Sequence, residues 1–308
     1  MNVLVTGSTG FIPSHLVQKL VDLGHTVIGT TRKENIQSTR KIDYWICNLT
    51  NPYHVKNLFC YEFSHIFHFA ANPLTDLSKT TIKDIYDSNL GITLNLLNHT
   101  SNCKFVYASS VTIYDDLDLW KGADEKCLPK PSSVYGATKL ASEAAILALA
   151  RRKNMEPLIL RYAAICGPGS THGAIHDLYK KYKQEEKVQV IGTNPGTRKP
   201  YLYIDDAIEA TTKLAFSDKT GIYNVANNDS LSIESILKII KGELNVNKEE
   251  IWSGETWFGD NPTVNVDTTK IFKDIEWKPS FNSSEAVKKT IQSYENKREE
   301  NYLLTDFT

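Results

Sequence analysis

Tyr135-Gly136-Ala137-Thr138-Lys139 carries a phenol and an amine at i and i+4, on one face of a helix. An ammonium beside a phenol favours the phenolate and lowers its pKa towards neutrality, so the tyrosine can take or give a proton near pH 7. Ser109-Ser110 follow the apolar run KFVYA. In a doubly wound sheet, ligands bind at the carboxyl ends of such runs. A serine hydroxyl there can hydrogen-bond a substrate hydroxyl or carbonyl and share its proton. Near the start of the chain, Gly7-Ser8-Thr9-Gly10-Phe11-Ile12 separates an apolar run from a helical pattern. Glycines at such a turn let backbone N–H groups approach a pyrophosphate, which then sits on the positive end of the helix. The spacing is G-x-x-G-x-x-P, so Pro13 adds bulk where a third glycine is usual. That bulk predicts a tilted helix or a looser grip on the cofactor. The second apolar run ends in Thr30-Thr31-Arg32-Lys33, without a carboxylate for an adenosine ribose. Thr31 and Arg32 either hold a 2′-phosphate, favouring NADP, or form a solvated basic turn. Asn48, after the third run, can hydrogen-bond an adenine.

These groups need elements to hold them. Asn2–Thr6, Thr26–Thr30, Ile42–Cys47, His65–Phe69, Lys104–Ala108 and Pro157–Leu160 are short and rich in Val, Ile and aromatics, which predicts strands buried on both faces. Helical patterns lie between them. Ser14–Leu23 places Leu16, Leu20 and Leu23 on one stripe, and Gly24 ends it. Asn89–Asn98 and Tyr135–Arg152 are the others. Strand–helix alternation predicts an α/β fold with a doubly wound parallel sheet and right-handed crossovers. After Arg161 the pattern breaks. Ile165–Gly173 and Asn194–Pro200 are predicted loops. Ala174–Glu185, Asp205–Phe216 and Ser232–Leu244 are predicted helices, and Val188–Ile191 and Gly221–Ala226 predicted strands. The expected partition is a nucleotide-binding domain over 1–167, rejoined by 201–227, and a smaller, interrupted α/β domain over 168–200 and 228–308.

Composition narrows the functional classes. The 308 residues make about two domains at ~150 residues each. With 35 basic against 36 acidic residues, the net charge of −1 argues against a nucleic-acid binder. No apolar stretch approaches the ~20 residues that span a bilayer. The start of the chain runs straight into a strand, and the five cysteines are scattered with no CxxC pair, so a cytoplasmic protein with reduced thiols is expected. His172 and His176 stand at i and i+4, but Gly173 occupies the place where a zinc protease needs glutamate, so no metal is expected. His65 and His68 are expected to be satisfied, partly buried imidazoles.

TGSTGFI, HFAANP, ASSVTIY, YGATK, LRYAAICGP, RKPYLYIDD and IEWKP together resemble an extended short-chain dehydrogenase/reductase of the NAD-dependent epimerase/dehydratase type. The resemblance spans nearly the whole chain. Within that family, GPGSTHGAI and RKPYLYIDDAIEA are most similar to archaeal-type UDP-glucose 4-epimerases. The resemblance implies a Rossmann-type domain binding NAD or NADP, a nucleotide-sugar substrate and a homodimer packed through Asn89–Asn98 and Tyr135–Arg152. It implies Tyr135 as the acid/base, Lys139 on the nicotinamide ribose and Ser110 on the sugar 4-oxygen. Cofactor contacts carried over are Gly7, Thr9, Gly10, Phe11, Ile12, Thr31, Arg32, Asn48, Leu49, Phe69, Ala70, Ala71, Asn89, Ala108 and Tyr162. Substrate contacts carried over are Asn72, Val111, Thr112, Ala164, Lys199, Tyr201 and Trp257.

Local departures refine the expectation. Dehydratases of this family carry Asp-Glu right after the catalytic Ser/Thr, whereas Val111-Thr112 stand here. No acid is present at those positions to protonate a leaving hydroxyl. Ala164 replaces the asparagine of R-x-x-N, and Trp257 stands where many sugar epimerases carry arginine. Three readings stay open. The first is a nucleotide-sugar 4-epimerase of the UDP-glucose/UDP-galactose type. The second is an NADPH-dependent 4-ketoreductase of a deoxy nucleotide sugar. The third is a non-catalytic binding protein of the same fold.

Overall fold

The computed structural model describes every residue except Asn35, Thr75, Asp76, Ser78, Lys79, 115–121, 256–262 and 297–308. Seven parallel strands form its main sheet: β1 (Asn2–Thr6), β2 (Thr26–Thr31), β3 (Ile42–Ile46), β4 (His65–His68), β5 (Lys104–Ser110), β6 (Glu156–Tyr162) and β11 (Gly221–Val225). Their spatial order is β11-β6-β5-β4-β1-β2-β3. The chain therefore reverses direction across the sheet between β1 and β4, and the crevice at their carboxyl ends is where such sheets take ligands. Val3, Leu4, Val5, Phe105, Val106, Leu158, Ile159 and Leu160 are wholly buried, as strands covered on both faces require.

Helices cover the two faces. On one lies α1 (Phe11–Asp22), whose Leu16 and Leu20 are fully buried. Each such leucine contributes about 2 kcal/mol of apolar burial. On the other lie α2 (Pro52–Leu58), α3 (Ile82–Tyr86), α4 (Ile92–His99) and α5 (Val134–Ala150). A five-residue π-helical turn, Asp87–Gly91, joins α3 to α4, so the helix predicted from Asn89 is interrupted where Asn89 sits.

The rest of the chain builds small sheets. β7 (Ala164–Cys166) pairs in parallel with β10 (Tyr201–Tyr203), β9 (Arg198–Lys199) pairs antiparallel with β12 (Leu231–Ser232), and β8 (Lys187–Val190) pairs with β13 (Glu249–Trp252). Around them pack α6 (Ala174–Gln184), α7 (Ile204–Ala215), α8 (Ile233–Leu244), α9 (Thr269–Ile275) and α10 (Ser283–Asn296). β7 and β9 lie in segments predicted as loops. Both are too short to carry a period, and their partners lie far along the chain. No helix among the described residues is long and apolar enough to cross a membrane. All five cysteines are free thiols.

Candidate active site

The candidate phosphate-binding turn follows β1. Gly7 has φ +65°, and a Cβ there would lie 2.9 Å from Ala70 Cα, so glycine is required. The turn is closed by Gly10 N–H donating to Gly7 O at 2.8 Å. Gly10 caps α1 without a side-chain hydrogen bond, and the N–H groups of Phe11 and Ile12 in the first turn have no intrahelical acceptor. This cradle fits a dinucleotide pyrophosphate. Pro13 is buried in the same turn and brings no N–H of its own, so Phe11 and Ile12 are the donors it leaves. Its ring lies 3.3 Å from where a Gly10 Cβ would sit, so a larger residue there would crowd the turn.

The adenosine end is less committed. Thr9 and Thr31 share a hydroxyl contact at 3.2 Å, and the Thr31 hydroxyl also accepts from Lys33 N–H at 3.0 Å. Arg32 is exposed, with no partner among the described residues. Asn48 is exposed too, but its carbonyl oxygen accepts from Thr50 N–H and hydroxyl at 3.1 and 2.9 Å. Only its amide N–H groups remain for an adenine. Leu49 is buried, and its backbone carbonyl accepts from Asn95 at 2.9 Å.

Phe69, Ala70 and Ala71 leave β4 half-buried at the crevice, and Phe69 and Ala70 N–H both donate to the Thr6 hydroxyl at 3.1 Å. A buried chain of hydrogen bonds starts from this hydroxyl. Thr6 Oγ1 meets His68 Nδ1 at 2.8 Å, and His68 Nε2 meets Thr93 Oγ1 at 2.9 Å. Thr93 donates to Asn89 O at 2.7 Å, and Asn89 Nδ2 donates to Thr138 Oγ1 at 3.0 Å. Thr138 in turn donates to Tyr135 O at 2.8 Å. Since Thr93 spends its proton on Asn89, His68 must donate through Nε2 and accept from Thr6 at Nδ1. Burial holds the His68 imidazole down to about 3, so it is neutral. Asn89 also accepts from Asn72 N–H at 2.7 Å. The asparagine of the π-turn therefore pins the loop after β4 to α5. Asn72's own side chain is spent within that loop, accepting from Leu74 N–H at 3.1 Å.

Ser133 caps α5 by accepting from Gly136 N–H at 3.1 Å. Gly136 packs against the turn after β5, and a Cβ on it would lie 2.5 Å from Thr112 O. That approach brings the Tyr135 turn of α5 against Ser110-Val111-Thr112. Ser110 Oγ accepts from Thr112 N–H at 3.2 Å and from the Thr112 hydroxyl at 3.0 Å. Both contacts leave the Ser110 proton free to donate elsewhere. Lys139 is buried, and its Nζ donates to Ala108 O at 2.7 Å while lying 5.6 Å from the Tyr135 ring centre. Ser110, Tyr135 and Lys139 are thus gathered at the carboxyl end of β5.

One expectation fails. Burial pushes the Tyr135 phenol up to about 12, not towards neutrality. Burial also lowers the Lys139 ammonium to about 7, against the opposing pull of Glu143. The lysine is committed to a backbone carbonyl, with its Nζ 5.6 Å from the Tyr135 ring centre, and desolvation outweighs charge attraction here.

Other predicted residues are placed less directly. The Tyr162 hydroxyl bonds to Thr211 of α7. Ala164 and Tyr201 are register partners in the β7–β10 pair, so that pairing brings two predicted substrate residues together. Lys199 pairs with Leu231. Trp257 lies outside the described residues. His172 is exposed, and His176 Nδ1 lies 3.5 Å from Asp177. No cluster of three metal-ligating side chains occurs among the described residues.

Sequence reasoning missed Glu143. It sits one further turn along the Tyr135–Lys139 stripe and is 2% exposed, bound to Arg161 at 2.7 Å and to the Ser109 hydroxyl. The i+4 step from Lys139 was the signal.

A model of the NAD dependent epimerase/dehydratase family matches residues 3–226. A crystal structure of UDP-galactose 4-epimerase is 32% identical with a TM-score of 0.83, covering 96% of this chain and 99% of its own. The putative UDP-glucose 4-epimerase of Methanocaldococcus jannaschii is 26% identical over 96% of this chain and 98% of its own. The dTDP-D-glucose 4,6-dehydratase of Bos taurus is 25% identical over 95% of this chain and 88% of its own.

Proposed function

The chain belongs to the NAD dependent epimerase/dehydratase family, and on that premise we propose that it is a nucleotide-sugar 4-epimerase of the UDP-glucose/UDP-galactose type. The observation that carries this reading is the turn after β5. Ser110 is oriented by the Thr112 hydroxyl, at a position where an eliminating enzyme would need an acid. The residues around the Gly7 cradle fit a dinucleotide, and a nicotinamide bound there supplies a reversible hydride acceptor. Ser110 donates to the sugar 4-oxygen. Tyr135 takes the 4-hydroxyl proton as a phenolate and later returns it; because burial favours the neutral phenol, the ammonium form of Lys139 beside it is what makes that phenolate accessible. The half-turn position of Tyr135 in the first turn of α5 adds the helix's own positive end, worth about 0.3–1 kcal/mol to a phenolate. Residues 1–167 with 201–227 form the cofactor half, and 168–200 with 228–308 the sugar-nucleotide half. β11 joining the main sheet supports that division.

A second reading, an NADPH-dependent 4-ketoreductase, is favoured by one feature. Arg32 stands exposed just after β2, which ends in Thr30-Thr31 and not in a carboxylate. Partnering with a second copy is supported by Ile82, Tyr86, Leu94 and Leu147, which are 39–54% exposed on the adjoining helices α3, α4 and α5.

Denaturing the purified protein and weighing the released dinucleotide tests the proposal. Retained NAD agrees with a closed cycle. An empty protein that binds NADPH only on addition favours the reductase.

A further inference from the structure

Tyr135, Lys139 and Glu143 recur at every fourth residue of α5, so they share the face that meets β5. The proton chemistry uses the first two. Glu143 has no role in it, yet it is a buried carboxylate, and a charge is kept in such a place only when paired. Its partners are specific. Oε2 accepts from Arg161 Nη2 at 2.7 Å, and Oε1 accepts from Arg161 Nε at 3.1 Å and from the Ser109 hydroxyl. Arg161 is anchored in turn on the Tyr114 hydroxyl at 2.7 Å. The carboxylate therefore cannot swing.

Lys139 lies one turn before it. Ala108 O holds its Nζ at 2.7 Å, and the Tyr107 ring centre is 4.9 Å away. The ionisable groups packed around that amine are His68 on β4, Tyr107 on β5, Tyr135 and Glu143 on α5, and Arg161 on β6. Burial keeps His68 uncharged and raises both tyrosines, so neither phenol carries charge at neutral pH. Glu143 is then the negative charge facing Lys139 among the described residues. In a site this dry, Coulomb interactions are several times stronger than in water.

We propose that Glu143 is a positioning residue, the fixed counter-ion that favours the ammonium form of Lys139 against the burial of that amine, with Arg161 and Ser109 locking its carboxylate in place. Its use in catalysis rests on the acid–base reading of Tyr135 and Lys139 given above. The same clamp holds Ser109, and through it the strand end that presents Ser110.

The test reads Lys139 itself. Protein labelled with 13C at lysine Cε is titrated by NMR, with the Lys139 signal assigned by its loss in Lys139→Arg. Glu143→Gln keeps an acceptor for Ser109 and Arg161 but removes the charge. Its Lys139 midpoint is expected to fall by about one pH unit or more relative to wild type. If that variant does not fold, Arg161→Gln leaves the Glu143 charge without its opposing guanidinium, and the Lys139 midpoint is expected above wild type. An unchanged or higher midpoint in folded Glu143→Gln, or an unchanged or lower one in Arg161→Gln, overturns the inference. A parallel epimerisation assay on wild type separates the two claims. A shifted midpoint with an inactive wild type leaves this inference standing and sinks the reaction assignment. An active wild type with an unshifted midpoint does the reverse.

Discussion

Lys139 donates its buried ammonium to Ala108 O at 2.7 Å, while the ring of Tyr135, one helical turn earlier, stays 5.6 Å from it. The lysine is thereby tied to the strand that ends in Ser110, and the tyrosine is left facing the crevice turn. Strand and helix are locked together through the lysine of the proposed acid–base pair.

Tyr135→Phe removes the proton acceptor and changes nothing else in the packing. Turnover is expected to fall by about a hundred- to ten-thousand-fold. The melting temperature should stay close to wild type. Steady-state rates on UDP-galactose beside a thermal melt check both halves, and turnover unchanged by the substitution would contradict the acid–base role of Tyr135.

Lys139 has a pH signature in stability. Its folded pKa, about 7, lies below its ordinary value of 10.5. The unfolded chain therefore binds the extra proton between those values, and folding stability attributable to this group rises with pH across that window. Below about 7 the group is charged in both states and its destabilisation is complete. Lys139→Met should raise stability at pH 7 by about 1–3 kcal/mol and flatten the slope of stability from pH 7 to 9. Urea unfolding of both proteins at several pH values measures it. A parallel slope in the two would contradict the assignment.

Thr112→Val removes the hydroxyl that orients Ser110 but keeps its shape. kcat is expected to drop about fivefold with KM nearly unchanged, because the lost hydrogen bond is one of about 1 kcal/mol. A rise in KM alone would place Thr112 on the substrate instead.

Arg32→Ala tests the cofactor preference. With NAD as the resident dinucleotide, its affinity should be unaltered, because Arg32 is an exposed side chain of the turn. Any affinity for NADP should fall about tenfold or more with the loss of a charge-assisted contact to phosphate. Calorimetric titration of the emptied protein with each dinucleotide reads both values.

The chemical pattern was legible wherever spacing alone implies proximity. Tyr135 and Lys139 are neighbours on any helix, and Gly7 and Gly10 bracket any strand–helix turn. The place of Glu143 on the Tyr135–Lys139 stripe was legible in the i+4 step, but its burial was not, because a single acid on a helix is normally solvated. Its burial depends on Arg161, which reaches it from β6. The direction of the Tyr135 shift was also hidden. It depends on how deeply both members of the pair are buried, which spacing does not encode. β7 escaped for a related reason: three residues beside a Gly-Pro run become a strand only because Tyr201–Tyr203 arrives alongside.

The most direct measurement is proton NMR of UDP-galactose incubated with the purified protein and no added cofactor. The account predicts that UDP-glucose signals appear and reach a steady ratio without net oxidation or reduction. Absence of interconversion, together with NADPH consumption when a 4-keto deoxy nucleotide sugar is supplied, would contradict it.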